Sequence, residues 1–211
     1  MTQATNTIVN NINKGGKTTA KHLSLGNAKL PKTIAIFNLP RLITCPGATA
    51  WCKKYCYTEK SERAYPNVKP FRYRNWDLAK SPEFVDTIVA EIKKLKVKTV
   101  RVHESGDFYN QEYLDKWIAI ANQMPEVTFF AYTKSYHLLD FSKLPDNFIM
   151  RASMDETTPL TLRQKYSKLI IADIKDHGAS LPKGFFECPG SCKKCTYCYT
   201  KGNGNVCFNK H

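Results

Sequence analysis

Eight cysteines form two groups near opposite ends of this 211-residue chain. The first is Cys45, Cys52 and Cys56, in C-P-G-A-T-A-W-C-K-K-Y-C-Y. The second is Cys188, Cys192, Cys195 and Cys198, in C-P-G-S-C-K-K-C-T-Y-C-Y, with Cys207 nine residues on. The 131 residues between Cys56 and Cys188 contain none. Thiolates are soft ligands that suit zinc and iron–sulfur clusters, so closely spaced cysteines predict a metal centre. Zinc ribbons use paired C-x-x-C knuckles, and the C-x6-C-x3-C spacing at 45–56 is not one. Three cysteines within twelve residues suit a cluster that leaves one iron open or borrows a remote ligand. The run at 188–198 resembles compact cluster-binding runs, in which a fourth cysteine can ligate elsewhere. Trp51, Tyr55, Tyr57, Tyr197, Tyr199 and Phe208 flank the thiols and would limit solvent access. The expectation is one or two 4Fe-4S clusters, with zinc as the alternative. How the eight thiols partition is left open by the spacing.

Disulfides are the competing use of an even cysteine count. C-x-x-C spacings are too short for comfortable bridges, and no apolar h-region follows Met1. The expected compartment is therefore a reducing cytoplasm. No run of about 18 apolar residues predicts a membrane span. With 42% apolar and 12% aromatic residues the chain can bury a core, so the cysteines are not needed as staples.

The formal charge of +14 is unevenly spread. Residues 1–74 hold 13 Lys/Arg against two Asp/Glu, and residues 188–211 hold four Lys and no acid. The stretch 75–187 is nearly neutral, with 15 basic and 16 acidic residues. Positive charge thus travels with the cysteines. Part of it offsets anionic centres, and the excess predicts an anionic partner, nucleic acid above all, at the basic N- and C-terminal segments. The sequence does not fix an oligomeric state.

The elements that position these residues alternate along the chain. Residues 1–22 read as a flexible basic arm, whose Lys14–Thr19 stretch lacks the spacing of a phosphate-binding loop. Strands are expected at Thr33–Leu39, Lys98–His103, Val127–Tyr132, Phe148–Ser153, Leu169–Ile174 and Phe185–Glu187. Helices are expected from Ser81 as N-cap, with Phe84, Ile88, Ile92 and Leu95 on one stripe, and over about Asn110–Met124. A helical turn near Tyr136–Leu144 and a helix at Pro159–Ser167 complete the pattern. Six strands interleaved with helices imply parallel β/α units, as an open doubly wound sheet or a partial barrel. Function then collects at the C-terminal strand ends. The first cysteine loop, His103-Glu104, Thr133-Lys134, Met154-Asp155-Glu156 and Cys188 all fall there. The basic–aromatic run Phe71, Arg72, Tyr73, Arg74 and Trp76 would suit bases and phosphates, or a loop over the cluster.

A strand entering a three-cysteine loop, with H-E-S-G-D ending the next strand at 103–107, resembles the radical S-adenosylmethionine enzymes. The segments L-G-N-A-K-L-P-K, T-C-P-G-A, V-R-V-H-E-S-G-D-F-Y and L-P-D-N-F-I-M-R-A-S-M-D-E are also similar to phage proteins of the gene-eighty-eight type. The resemblance covers about residues 24–211 and implies a viral or mobile-element origin, acting in the host cytoplasm. It implies an α/β fold: a partial (β/α)6 barrel over 23–187, with the cluster-binding loop at 45–56 and a cysteine-rich tail at 188–211 packed on it. It implies a radical enzyme in which Cys45, Cys52 and Cys56 hold a cluster that binds S-adenosylmethionine. Glu104 and His103 then become catalytic candidates, and Glu104, Ser105, Asp107, Lys134 and Arg151 become cofactor contacts. The superfamily's usual C-x3-C-x2-C spacing occurs at Cys188–Cys195 rather than in the first loop. The alternative is a non-enzymatic iron–sulfur or zinc protein that binds nucleic acid or a host or viral protein through its basic ends.

Overall fold

The computed structural model describes residues 21–167 and 169–210. The expected arm and its Lys14–Thr19 stretch lie outside these residues up to residue 20. Lys21 and His22 are tied down, because the buried carboxylate of Glu91 accepts the backbone N–H of Lys21 (2.8 Å), His22 and Leu23 (3.0 Å).

Eight strands make one sheet: β1 (Ser24–Leu25), β2 (Ile34–Phe37), β3 (Thr99–Val102), β4 (Thr128–Thr133), β5 (Phe148–Ser153), β6 (Ile171–Lys175), β7 (Phe185–Glu187) and β8 (Asn205–Asn209). Their order is β1-β2-β3-β4-β5-β6-β8-β7, and only the β1–β2 pair is antiparallel. The sheet is open, with β1 and β7 at its edges. From β2 to β6 the order never reverses, so right-handed crossovers carry their helices to one face. A doubly wound sheet needs a reversal and helices on both faces, and that alternative is not what forms.

The helices are α1 (Ala50–Lys54), α2 (Thr58–Ala64), α3 (Val68–Lys80), α4 (Phe84–Leu95), α5 (Gln111–Gln123) and α6 (Leu160–Lys165). Thr49 caps α1 by accepting the Cys52 N–H, and Asn110 caps α5 by accepting the Tyr113 N–H. Phe84, Ile88 and Ile92 of α4 and Leu114, Trp117, Ile118 and Ala121 of α5 are buried at helical spacing. They cover Ala35, Phe37, Val100, Val102, Phe129 and Ala131 on one face of the sheet. The opposite face carries Ile34, Ile36, Phe130, Ile149 and Tyr132, and there the C-terminal cysteine segment packs through Cys192 and Tyr199.

Three expectations change. Ser81 closes α3 as its C-cap instead of opening α4, which starts after Glu83. The run Phe71–Trp76 is helix, not a loop: Pro70 sits in the first turn of α3, where its missing N–H has no intrahelical partner to lose. Finally, β7 is not the neighbour of β6. The short segment N-V-C-F-N forms β8 and inserts between them, pairing in parallel with both.

Candidate functional site

The first cysteine loop leaves the C-terminal end of β2 and is gripped by the ends of the next three strands. Asp107, just past β3, accepts hydrogen bonds from Thr133 Oγ1 (2.7 Å), Lys134 N (2.8 Å) and Phe108 N (2.7 Å). Its own N–H donates to Thr44 O in the loop (3.1 Å). At the end of β5, Asp155 accepts from Lys134 Nζ and from Thr49 Oγ1, both at 2.6 Å. Thr49 is the cap of α1, which carries Cys52.

Two glycines make this approach sterically feasible. A Cβ at Gly47 would lie 2.2 Å from Lys134 O, so only glycine lets the loop lie against the end of β4. Gly106 has φ +85 and a Cβ there would sit 2.5 Å from Leu39 Cβ.

Burial pushes the Cys45 thiol up to about 12, and the nearby Asp107 carboxylate adds to the shift. Cys52 is raised by burial too, against the pull of Lys134. Cys45 feels Cys52 and Cys56 electrostatically, and Cys52 feels Cys56, so the three thiols share one region. Cys56 Sγ is 3.3 Å from Thr58 Oγ1, which Ser105 Oγ reaches at 3.4 Å. Glu104 lies at the rim, half-exposed: its carboxylate accepts from Asn27 Nδ2 and its backbone carbonyl from Tyr57 Oη (2.6 Å).

His103 goes elsewhere. Its φ of +68 turns the chain, and its ring packs among Phe37, Phe108 and Tyr113 on the helix side, with Nε2 2.8 Å from Tyr113 Oη. Burial lowers its pKa to about 3, which makes it a neutral core residue.

The second group lies on the opposite face. Cys188, Cys192, Cys195 and Cys198 interact electrostatically with one another, and burial lifts Cys192 to about 11. Tyr199 Oη donates to Cys192 O (3.2 Å) and Cys195 O (3.3 Å), folding the segment on itself. Cys207 does not join them. Val206 and Phe208 of β8 pack with Cys198, so strand alternation sends the Cys207 side chain to the other face, where Asp173, Lys175 and Glu187 are its charged neighbours.

Arg151 of β5 is 1% exposed and aims into this second group. Nη1 donates to Cys198 O, and Nη2 reaches Asn203 O (3.3 Å) and Gly204 O (3.5 Å). Nε is buried with no partner, and no described carboxylate pairs with the guanidinium. Arg101 of β3 shares that face, its guanidinium over Tyr132 (4.3 Å) and Phe130 (5.2 Å), its Nε on His103 O (2.9 Å). It too lacks a carboxylate partner among the described residues, and it pulls the Cys192 thiol down. Arg101 and Thr49 were not singled out from sequence. The signal for Arg101 was there: a cation at an inward position of the alternating strand T-V-R-V.

Among the described residues, no three Cys, His, Asp or Glu side chains converge as a single metal ion requires. No described helix is long and apolar enough to cross a membrane.

The architecture defines a mixed α/β protein with a mostly parallel open sheet and a cysteine loop held at the strand ends. Within that class the chain belongs to the family described as Gene product 88, which matches residues 7–168. It is similar to the Gene 88 protein of Mycobacterium phage L5, 33% identical over 102 residues, and to that of Mycobacterium phage D29, 32% identical over 102 residues. Each alignment covers 43% of this chain, and 43% and 42% of the two relatives, so the chain spans less than half the length of either. The family match ends before the second cysteine group. No solved structure matches.

Proposed function

We propose that this is an iron–sulfur protein built on a radical S-adenosylmethionine-like partial (β/α)6 barrel and active in the host cytoplasm. In this reading Cys45, Cys52 and Cys56 hold one 4Fe-4S cluster, and Cys188, Cys192, Cys195 and Cys198 hold a second. The observation that carries it is Arg151, a fully buried guanidinium aimed at the second cysteine group with no carboxylate among the described residues to neutralise it. A buried cation without a counter-charge costs several kcal/mol. A four-iron centre on four thiolates carries about −2 and would supply the missing charge, with Arg101 as its second neighbour.

A three-cysteine cluster with an open iron, when bound, supplies the electron for reductive cleavage of S-adenosylmethionine. The chain's own residues have separate tasks. Lys134 favours the thiolate of Cys52, while Asp155 and Thr49 fix the helix that carries it. From the end of β3, the Asp107 N–H holds Thr44 O of the loop and Ser105 Oγ reaches Thr58 Oγ1 just beyond Cys56. Glu104, on the open rim, is the group placed to receive a cationic part of a cofactor or substrate. His103 takes no part in proton transfer, because its ring is enclosed on the helix side.

The test is iron, acid-labile sulfide and zinc per chain, on protein purified without oxygen. About eight irons with matching sulfide supports two clusters and about four supports one. Zinc without sulfide overturns the proposal and leaves a zinc-stabilised module. Binding of S-adenosylmethionine to the reduced protein then separates an enzyme from a non-enzymatic iron–sulfur protein.

A further inference from the structure

The crossover between β2 and β3 is charged in a lopsided way. In its first part, residues 38–74, the two acidic residues are both taken up by arginines: Glu59 by Arg41 (3.6 Å) and Arg63 (2.6 Å), and Glu62 by Arg41 (3.3 Å) and Arg72 (2.7 Å). The lysines are left over. Lys53, Lys54, Lys60 and Lys69 are exposed, and none has an ion-pair partner among the described residues. Some lysines elsewhere do pair with acids, as in Lys116–Glu112, Lys201–Asp146 and Lys210 with Glu156 and Asp176.

The same crossover exposes aromatic rings. Tyr55 is 53% exposed, Tyr57 54%, Tyr65 64% and Tyr73 39%. Among the described residues, six of the eleven exposed large apolar or aromatic side chains lie between Leu42 and Tyr73, so these rings are not scattered as on an ordinary surface. Tyr57 is also fixed in place by its bond to Glu104 O. By contrast, the arginines on either side of Tyr73 are turned inward: Arg72 is buried on Glu62, and Arg74 stacks on Phe71 and donates to Lys21 O.

We infer that the surface of α1, α2 and the start of α3 binds single-stranded nucleic acid. Tyr55, Tyr57, Tyr65 and Tyr73 supply stacking faces for unpaired bases, and Lys53, Lys54, Lys60 and Lys69 contact the backbone phosphates. Stacking needs unpaired bases, which is why a duplex fits less well. The inference stands whichever metal the cysteines hold, and metal content is measured separately on the same preparation.

The test is fluorescence anisotropy with a labelled 20-mer of deoxythymidine, the same length of uridine, and a 20-base-pair duplex, using the full chain at several salt concentrations. The expected result is tighter binding of the single strands than of the duplex; the two single strands separate DNA from RNA as the preferred source. Tyr65→Ala and Tyr55→Ala, each at a solvent-facing ring, should weaken binding roughly tenfold apiece. Lys53→Ala with Lys54→Ala should reduce the slope of log affinity against log salt by about 1.4. Lys193→Ala with Lys194→Ala, on the second cysteine segment, should leave the affinity unchanged. No binding at about 50 mM salt, equal duplex affinity, or tyrosine variants that bind like the parent would overturn the inference.

Discussion

Thr49 Oγ1 donates to Asp155 Oδ2 at 2.6 Å, joining residues 106 apart in sequence. The same hydroxyl accepts the Cys52 N–H at 3.1 Å, and the same carboxylate oxygen holds Lys134 Nζ at 2.6 Å. The position of Cys52 is therefore dictated from the end of β5. Asp155→Ala should destabilise the fold by about 3 kcal/mol, because it strands the buried ammonium of Lys134. Pairing it with Lys134→Met should recover part of that loss. Urea unfolding of both variants checks the order.

Glycine substitutions should separate steric demand from backbone demand. Gly47→Ala forces a Cβ against Lys134 O, where neither backbone can yield without moving the loop. Gly190→Ala meets nothing within 4 Å but sits at φ +80, so its cost is the left-handed penalty of about 1–2 kcal/mol. Gly47→Ala should be the more damaging, read as a larger drop in melting temperature and, if the proposed first cluster is present, as lower iron content.

Acid titration should expose two opposed groups in the metal-free chain. His103 has a folded pKa of about 3 against 6.5, so below pH 6.5 the unfolded chain takes a proton that the folded one refuses. Stability from this group falls as pH falls from 6.5 towards 3. Asp107 has a folded value of about 6 against 3.8, so its contribution runs the other way, and stability is lost as pH rises from 3.8 to 6. Between pH 7 and pH 5 the two partly cancel, with the histidine the larger. His103→Asn, which tolerates the left-handed backbone, should be about 1 kcal/mol more stable at pH 5 than at pH 7. Asp107→Asn should be about 2 kcal/mol less stable at pH 5 than at pH 7. Urea midpoints at the two values decide it.

Arg151→Met should act differently on loaded and metal-free protein. It removes bonds to three carbonyls in both, but removes a needed counter-charge only in the loaded form. The variant should release iron from the second centre to a chelator at least tenfold faster than the parent. Equal release rates would count against an anionic centre beside Arg151.

Six of the eight strands are readable because each carries enough apolar residues to declare itself. Phe148–Ser153 and Phe185–Glu187 form with the expected ends. β1 is two residues long and exists only through its pairing with β2, so no local pattern announces it. β8 was hidden because a cysteine at its centre read as a ligand, when Cys207 is a buried strand residue. Ser81 followed by Pro82 reads locally as a helix start, but the bulk of α3 claims Ser81 first.

For the site, the rule that loops gather at strand ends did bring the first cysteine loop, Asp107, Lys134 and Asp155 together. It failed for His103, because the positive φ that reverses the chain also swings the ring to the other side of the sheet. The partners of Thr49 and Gly47 are set by contacts more than 80 residues away, which no window of sequence displays.

The place of β8 in the sheet has a consequence in time. It lies between β6 and β7, yet it is synthesised after both. Until residues 205–209 leave the ribosome, β7 has no strand to pair with and Cys188 cannot donate its N–H to Cys207 O. The segment holding Cys188 to Cys198 stays a loose bight of nascent chain for that interval, then is cinched at both ends by one pairing event. On the cluster reading proposed above, metal delivery to that segment would be a step that follows translation instead of accompanying it.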